Sequence, residues 1–94
     1  MARNEAKIVR KSITYLNSLD RSFAWKATGN PRQRKGVSDV ILCYHGRYYA
    51  LEFKDPNNPS GPTEYQKQFM RKVIAAGGKA FVVRSFAAVN RNFK

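Results

Sequence analysis

Two strand-like segments closed by a two-residue turn constrain this chain more than any other feature. Residues 37–43 and 48–53 are rich in β-branched and aromatic side chains, which suit a pleated, half-buried surface. Tyr44-His45-Gly46-Arg47 lies between them. With His45-Gly46 as the loop, the hairpin register sets Asp39 opposite Glu52. Lys54 shares a face with Glu52, because side chains alternate with period two. Directly opposed carboxylates, with Cβ atoms about 5 Å apart, destabilise a sheet unless something positive lies between them. A shared proton, the Lys54 ammonium or a divalent cation could each supply that charge. The last of these makes a metal site suited to phosphodiester chemistry.

Charge narrows the partners. Eighteen Lys and Arg against six Asp and Glu give a formal charge of +12, a field that favours a polyanion. Nucleic acid comes before an anionic membrane, because no basic amphipathic helix with a bulky apolar face stands out. No apolar run reaches membrane-spanning length and no signal-peptide core is present, so a cytoplasmic setting is expected. At 94 residues, one small domain over 1–94 is expected, with a limited core. The lone Cys43 cannot form an internal disulfide and reads as a small buried core residue.

Residues 4–19 form an amphipathic pattern, with Val9, Ile13 and Leu16 at helical spacing and Ile8 and Leu19 widening the stripe. Glu5 lies on that stripe, where it is either a favourable first-turn acid or an inward-facing functional group. Residues 23–28 read as a short strand. Residues 29–36 are a loop with Arg32, Arg34 and Lys35, which together with Lys26 suit phosphate contact. Residues 37–43 are apolar on both faces, as in an interior strand, yet Asp39 takes a hydrophobe's place between Val37 and Ile41. Residues 63–76 read as a second helix with Phe69, Met70, Val73 and Ile74 as core stripe and Gly77-Gly78 as its stop. Gln66 extends that stripe and also fits a capping box with Thr63. Residues 79–84 form a strand, so the strand–helix–strand order implies parallel pairing with residues 48–54. The tail, 85–94, carries Phe86, Val89 and Phe93. These elements predict an α/β fold, a small mixed central sheet of an antiparallel hairpin plus a parallel crossover strand, flanked by helices.

Glu5, Asp39, Glu52, Lys54 and Gln66 all fall on faces whose periodicity points inward, and buried charge is costly unless paired or metal-bound. One buried polar site explains all five. Its ligands are all oxygen, which suits Mg²⁺ or Mn²⁺ over zinc. His45 reads as a tolerated turn residue.

Gly36-x-x-Asp39, Glu52-Phe53-Lys54 and Gln66, preceded by Glu5 on an N-terminal helix, resemble the PD-(D/E)xK nuclease superfamily. In order and compactness the chain is similar to its VRR-NUC branch, especially stand-alone viral and prophage members. Ser38 stands where the superfamily often has Pro, and Val83-Arg84-Ser85 keeps part of the Val-Arg-Arg that names the branch. The resemblance implies a restriction-endonuclease-like core in which Asp39 and Glu52 ligate Mg²⁺ or Mn²⁺ with the Phe53 carbonyl. It further implies that Lys54 orients or activates the attacking water, Glu5 positions water, and Gln66 holds Lys54 or the substrate. A homodimer acting on branched DNA, including four-way junctions, is implied as well, with no membrane and no small-molecule cofactor. Phe86, Val89 and Phe93 of the tail and exposed apolar groups of the first helix are candidate dimer contacts. Flap-type cleavage and a non-catalytic basic nucleic-acid-binding module are the alternatives.

Overall fold

The computed structural model describes residues 3–27, 36, 38–57 and 60–94. Along the chain run α1 (Arg3–Ser18), β1 (Ser22–Lys26), β2 (Val40–Tyr44), β3 (Arg47–Phe53), α2 (Glu64–Ala75), β4 (Lys79–Val83) and α3 (Phe86–Asn92). The four strands form one sheet in the order β1-β2-β3-β4. β1, β2 and β3 pair antiparallel, and β4 runs parallel to β3. This is the mixed sheet that the hairpin and the crossover pattern predict.

The hairpin register is also as expected: Val40 pairs with Leu51, Ile41 with Ala50 and Leu42 with Tyr49. His45 and Gly46 have φ of 51° and 80°, the left-handed pair that a tight hairpin turn requires. β2 starts at Val40, later than the apolar pattern suggests. Its ladder stops there because the Phe53 N–H donates to the Asp39 side chain, Oδ2 at 2.9 Å.

α1 and α3 cover one face of the sheet. Val9 and Leu16 of α1 meet Leu42, Leu51 and Phe53 beneath them, and Val89 and Phe93 close the cluster. The Phe93 ring meets Tyr44 and Tyr49 edge-on, both at 5.1 Å between centroids. Tyr15 and Tyr44 hydroxyls donate to the Phe93 and Lys94 carbonyls, both at 2.7 Å. The tail is therefore core, and Val89 and Phe93 are not available as the dimer contacts expected of them.

α2 lies on the opposite face, against β3 and β4. No residue of α2 is buried, and Ile74 is 55% exposed, so its apolar stripe covers only part of that face. Cys43 differs from expectation for the same reason. It is exposed, because its side of β2 points to the part of the sheet that α2 does not reach. Among the described residues, no helix is long and apolar enough to cross a membrane.

Candidate functional site

The strand ends and the start of α2 converge at one edge of the sheet. Glu52, the penultimate residue of β3, is 1% exposed. Its Oε1 accepts from Gln66 Nε2 at 2.8 Å, while Oε2 is buried with no hydrogen-bond partner. Gln66 Oε1 in turn accepts from Lys54 Nζ at 3.2 Å and from the Thr63 N–H at 2.8 Å. The Thr63 hydroxyl completes a capping box by accepting from the Gln66 N–H at 3.2 Å. The two readings of Gln66 that the sequence sets against each other are thus both true. Its carbonyl oxygen serves the cap and Lys54, and its amide nitrogen serves Glu52.

Local sequence places each of these groups. Asp39 sits where the chain bends into β2, fixed by the Phe53 N–H. The Ala27 N–H donates to the Asp39 carbonyl at 2.9 Å, which ties the end of β1 to the same bend. Gly36 explains the spacing before Asp39. It has φ of +85°, and a Cβ there would collide with the Tyr65 carbonyl and crowd the Gln66 nitrogen. Only glycine lets the approach to Asp39 pass so close to the first turn of α2.

Burial is the main cause that pushes the Glu52 carboxyl up to about 8, followed by the negative charge of Asp39; Lys54 opposes and Glu5 adds a little. Glu5 is also raised, first by burial and then by Asp39, with Lys54 opposing. The first turn of α1 therefore senses the same cluster. Among the described residues no ion pair joins Lys54 to Glu52, since Gln66 stands between them. All three sources of positive charge that the sequence leaves open stay open, because the Lys54 ammonium still acts on Glu52 through space from beyond Gln66.

An orphaned, buried carboxylate oxygen facing a second carboxylate fits a hard divalent cation. Among the described residues no group of three His, Cys, Asp or Glu side chains could hold a metal. A cation here would need backbone carbonyl and water to complete its shell, as Mg²⁺ commonly does.

Sequence reasoning missed Arg84. Its guanidinium donates to the Asp55 carbonyl at 3.3 Å and the Ser60 carbonyl at 3.0 Å, bracing the segment after Lys54. The Lys54 N–H donates to the Val83 carbonyl at 2.9 Å. Val83-Arg84 thus positions Lys54 from the neighbouring strand, and the partial Val-Arg-Arg run was its signal. Lys26 is exposed and lines a shallow cleft along α1 with Arg10. Arg32, Arg34 and Lys35 lie outside the described residues.

The sequence matches no family model and no curated protein. Solved structures do match. One VRR_NUC domain superposes with a TM-score of 0.75 at 23% identity, covering 96% of this chain and 94% of that one. The fold is that of a VRR_NUC domain. A second structure, a VRR_NUC domain protein, gives a TM-score of 0.73 at 15% identity, covering 99% of this chain and 89% of that one. The VRR_NUC fold agrees with the resemblance carried by Gly36, Asp39, Glu52, Lys54 and Gln66. The likeness spans almost the full length of both chains, so the cluster lies within the shared fold.

Proposed function

We propose that this chain is an Mg²⁺- or Mn²⁺-dependent endodeoxyribonuclease that hydrolyses phosphodiester bonds in branched DNA, four-way junctions foremost, as a homodimer. The observation that carries the reading is the Gln66 clamp. One side-chain amide holds a buried carboxylate and the half-buried Lys54 ammonium, with a second carboxylate opposed. A binding module has no use for acids buried so close together, since they repel a phosphate backbone.

Asp39 and Glu52 would hold the cation, with the Phe53 carbonyl as a third donor. Bound there, the cation supplies Lewis acidity toward a phosphate oxygen and toward water. Lys54, kept in place by Gln66 and by the Val83 carbonyl, presents its ammonium where charge accumulates as water attacks phosphorus and the P–O bond to the leaving oxygen breaks. Glu5, whose carboxyl feels the charge of Asp39, would position the attacking water. Lys26 and the basic run of Arg32, Arg34 and Lys35 supply phosphate affinity.

The deciding experiment incubates the protein with Mg²⁺ or Mn²⁺ and end-labelled junction, flap, duplex and single-stranded DNAs. Cleavage of the junction before the others, abolished by chelator, is the expected result. Binding to all four without cutting any would establish the non-catalytic module instead.

A further inference from the structure

The outer face of α1 carries cations that the helix itself does not need. Lys7, Arg10 and Lys11 are all exposed and lie three and four residues apart, so like charges meet across one turn and weaken the helix. None of them is in the last turn, where the macrodipole favours a cation. Among the described residues the ion pair is Lys67 with Glu64, so no carboxylate answers them. Lys11 is held differently, its Nζ 4.4 Å from the centroid of the Phe86 ring.

These cations border two shallow clefts, one on each side of α1. Lys7, Arg10, Lys11 and Thr14 line the cleft that ends at Phe86. Arg10 and Thr14 also line the other, which Lys26 closes from β1. Arg10 and Thr14 thus join the clefts into one ridge of donors. Lys7 to Thr14 spans two helical turns, about 10 Å, or about three base steps at 3.4 Å each. The ridge begins beside the reactive end. Lys26 is the last residue of β1, and the next N–H, of Ala27, donates to the Asp39 carbonyl at 2.9 Å.

The rings select the occupant. A single strand is held by aromatic faces on which its bases stack. Here Lys11 covers the Phe86 ring, and Tyr15 meets the same ring edge-on, with centroids 5.4 Å apart. The Tyr15 hydroxyl is committed to the Phe93 carbonyl. An anionic membrane needs bulky apolar groups beside the cations, and Val9 and Leu16 of α1 are buried against the sheet. Lys, Arg and Thr donors with no ring to offer a base suit the sugar–phosphate backbone of a duplex.

We infer that the outer face of α1 binds the phosphate backbone of a duplex arm flanking the cut, through Lys7, Arg10, Lys11 and the Thr14 hydroxyl, with Lys26 joining this track to the site. The inference deepens the proposed function and rests on its DNA substrate. The arm lies along α1 while the strand to be cut enters at Asp39 and Glu52, so affinity and chemistry reside on separate surfaces.

The test is binding in chelator, where nothing is cut, of a labelled four-way junction and of a single strand of equal length over a salt series. The triple variant Lys7→Gln, Arg10→Gln, Lys11→Gln should flatten the salt slope for the junction by about 2.7, at about 0.9 for each of three phosphates. Its junction affinity at low salt should fall at least about tenfold, and its affinity for the single strand much less. Lys7→Arg with Lys11→Arg keeps the charge and should keep the slope. Thr14→Cys carrying a photo-crosslinker, in a Cys43→Ser background, should join to a duplex stem away from the cut position. An unchanged slope in the triple variant overturns the inference, as does an equal loss on the single strand or a crosslink confined to the cut position. Loss of binding to phosphatidylserine vesicles with DNA binding intact would assign the face to membrane and overturn it too. The nuclease reading fails separately. Metal-dependent cutting with an unchanged slope sinks the α1 track alone, and a flattened slope in a protein that cuts no DNA sinks only the nuclease.

Discussion

Gln66 concentrates three jobs in one residue, which makes its substitutions informative. Gln66→Glu keeps an acceptor for the Thr63 N–H, so the capping box survives. It loses the donor to Glu52 Oε1 and sets an anion beside that buried acid. Near-wild-type helix content with cleavage lowered at least about a hundredfold is the expected result, the scale at which misplaced catalytic groups act. Glu52→Gln and Lys54→Ala should abolish cutting while DNA affinity, read by gel shift, stays close to wild type. Loss of affinity in step with activity would place these residues in binding instead. The raised Glu52 carboxyl gives a pH signature as well. The unfolded chain releases this proton near 4.5 and the folded protein near 8, so in between the folded state holds more protons. Stability in chelator is therefore full below about 4.5, falls as pH rises toward 8, and then levels off. Melting temperatures across that window should show this slope in wild type and a flatter one in Glu52→Gln. Mg²⁺ should raise the melting temperature more in wild type than in that variant; an equal response would move the cation elsewhere.

Among the elements, β4 and α3 carry more of the site than their sequences advertise. β4 supplies the carbonyl that holds the Lys54 N–H, and Arg84 just beyond it braces the segment from Asp55 to Ser60. Arg84→Ala should lower the cleavage rate, and addition of guanidine-type cations or restoration by Arg84→Lys should recover it only in part, since Lys lacks the fork that reaches two carbonyls. α3 works through packing. Phe93 is buried among Tyr44, Tyr49 and Phe81, so Phe93→Ala should cost about 3–5 kcal/mol in denaturant unfolding. A smaller loss, with a weaker dimer, would return the tail to the interface.

For the whole molecule, the cations of α1 gather on one side of the sheet. Lys7, Arg10 and Lys11 line a cleft on α1 beside Phe86, on the side of the sheet away from the uncharged row of Phe23, Cys43 and Tyr48. Cations gathered there would release counterions on binding DNA. Mixed dimers of wild type and Glu52→Gln should nick one strand of a four-way junction where the wild type cuts two. Paired cuts from mixed dimers would mean that each active site reaches both strands.

The sequence by itself determined everything that is local or periodic. The left-handed pair His45-Gly46 sets the hairpin register, and period two then brings Asp39, Glu52 and Lys54 together. Strand–helix–strand order makes β4 parallel to β3, and Thr63 and Gln66 announce the start of α2. Tertiary structure decided what depends on which faces meet. The α2 stripe looks like core, yet one helix cannot cover a four-stranded face, so Ile74 and Cys43 stay exposed. The tail looks like a free amphipathic end, yet its apolar residues fill the gap between α1 and the sheet. Gln66 could be assigned to the cap or to the site from sequence. Only the approach of α2 to the end of β3, allowed by the missing side chain at Gly36, lets one amide reach both at once.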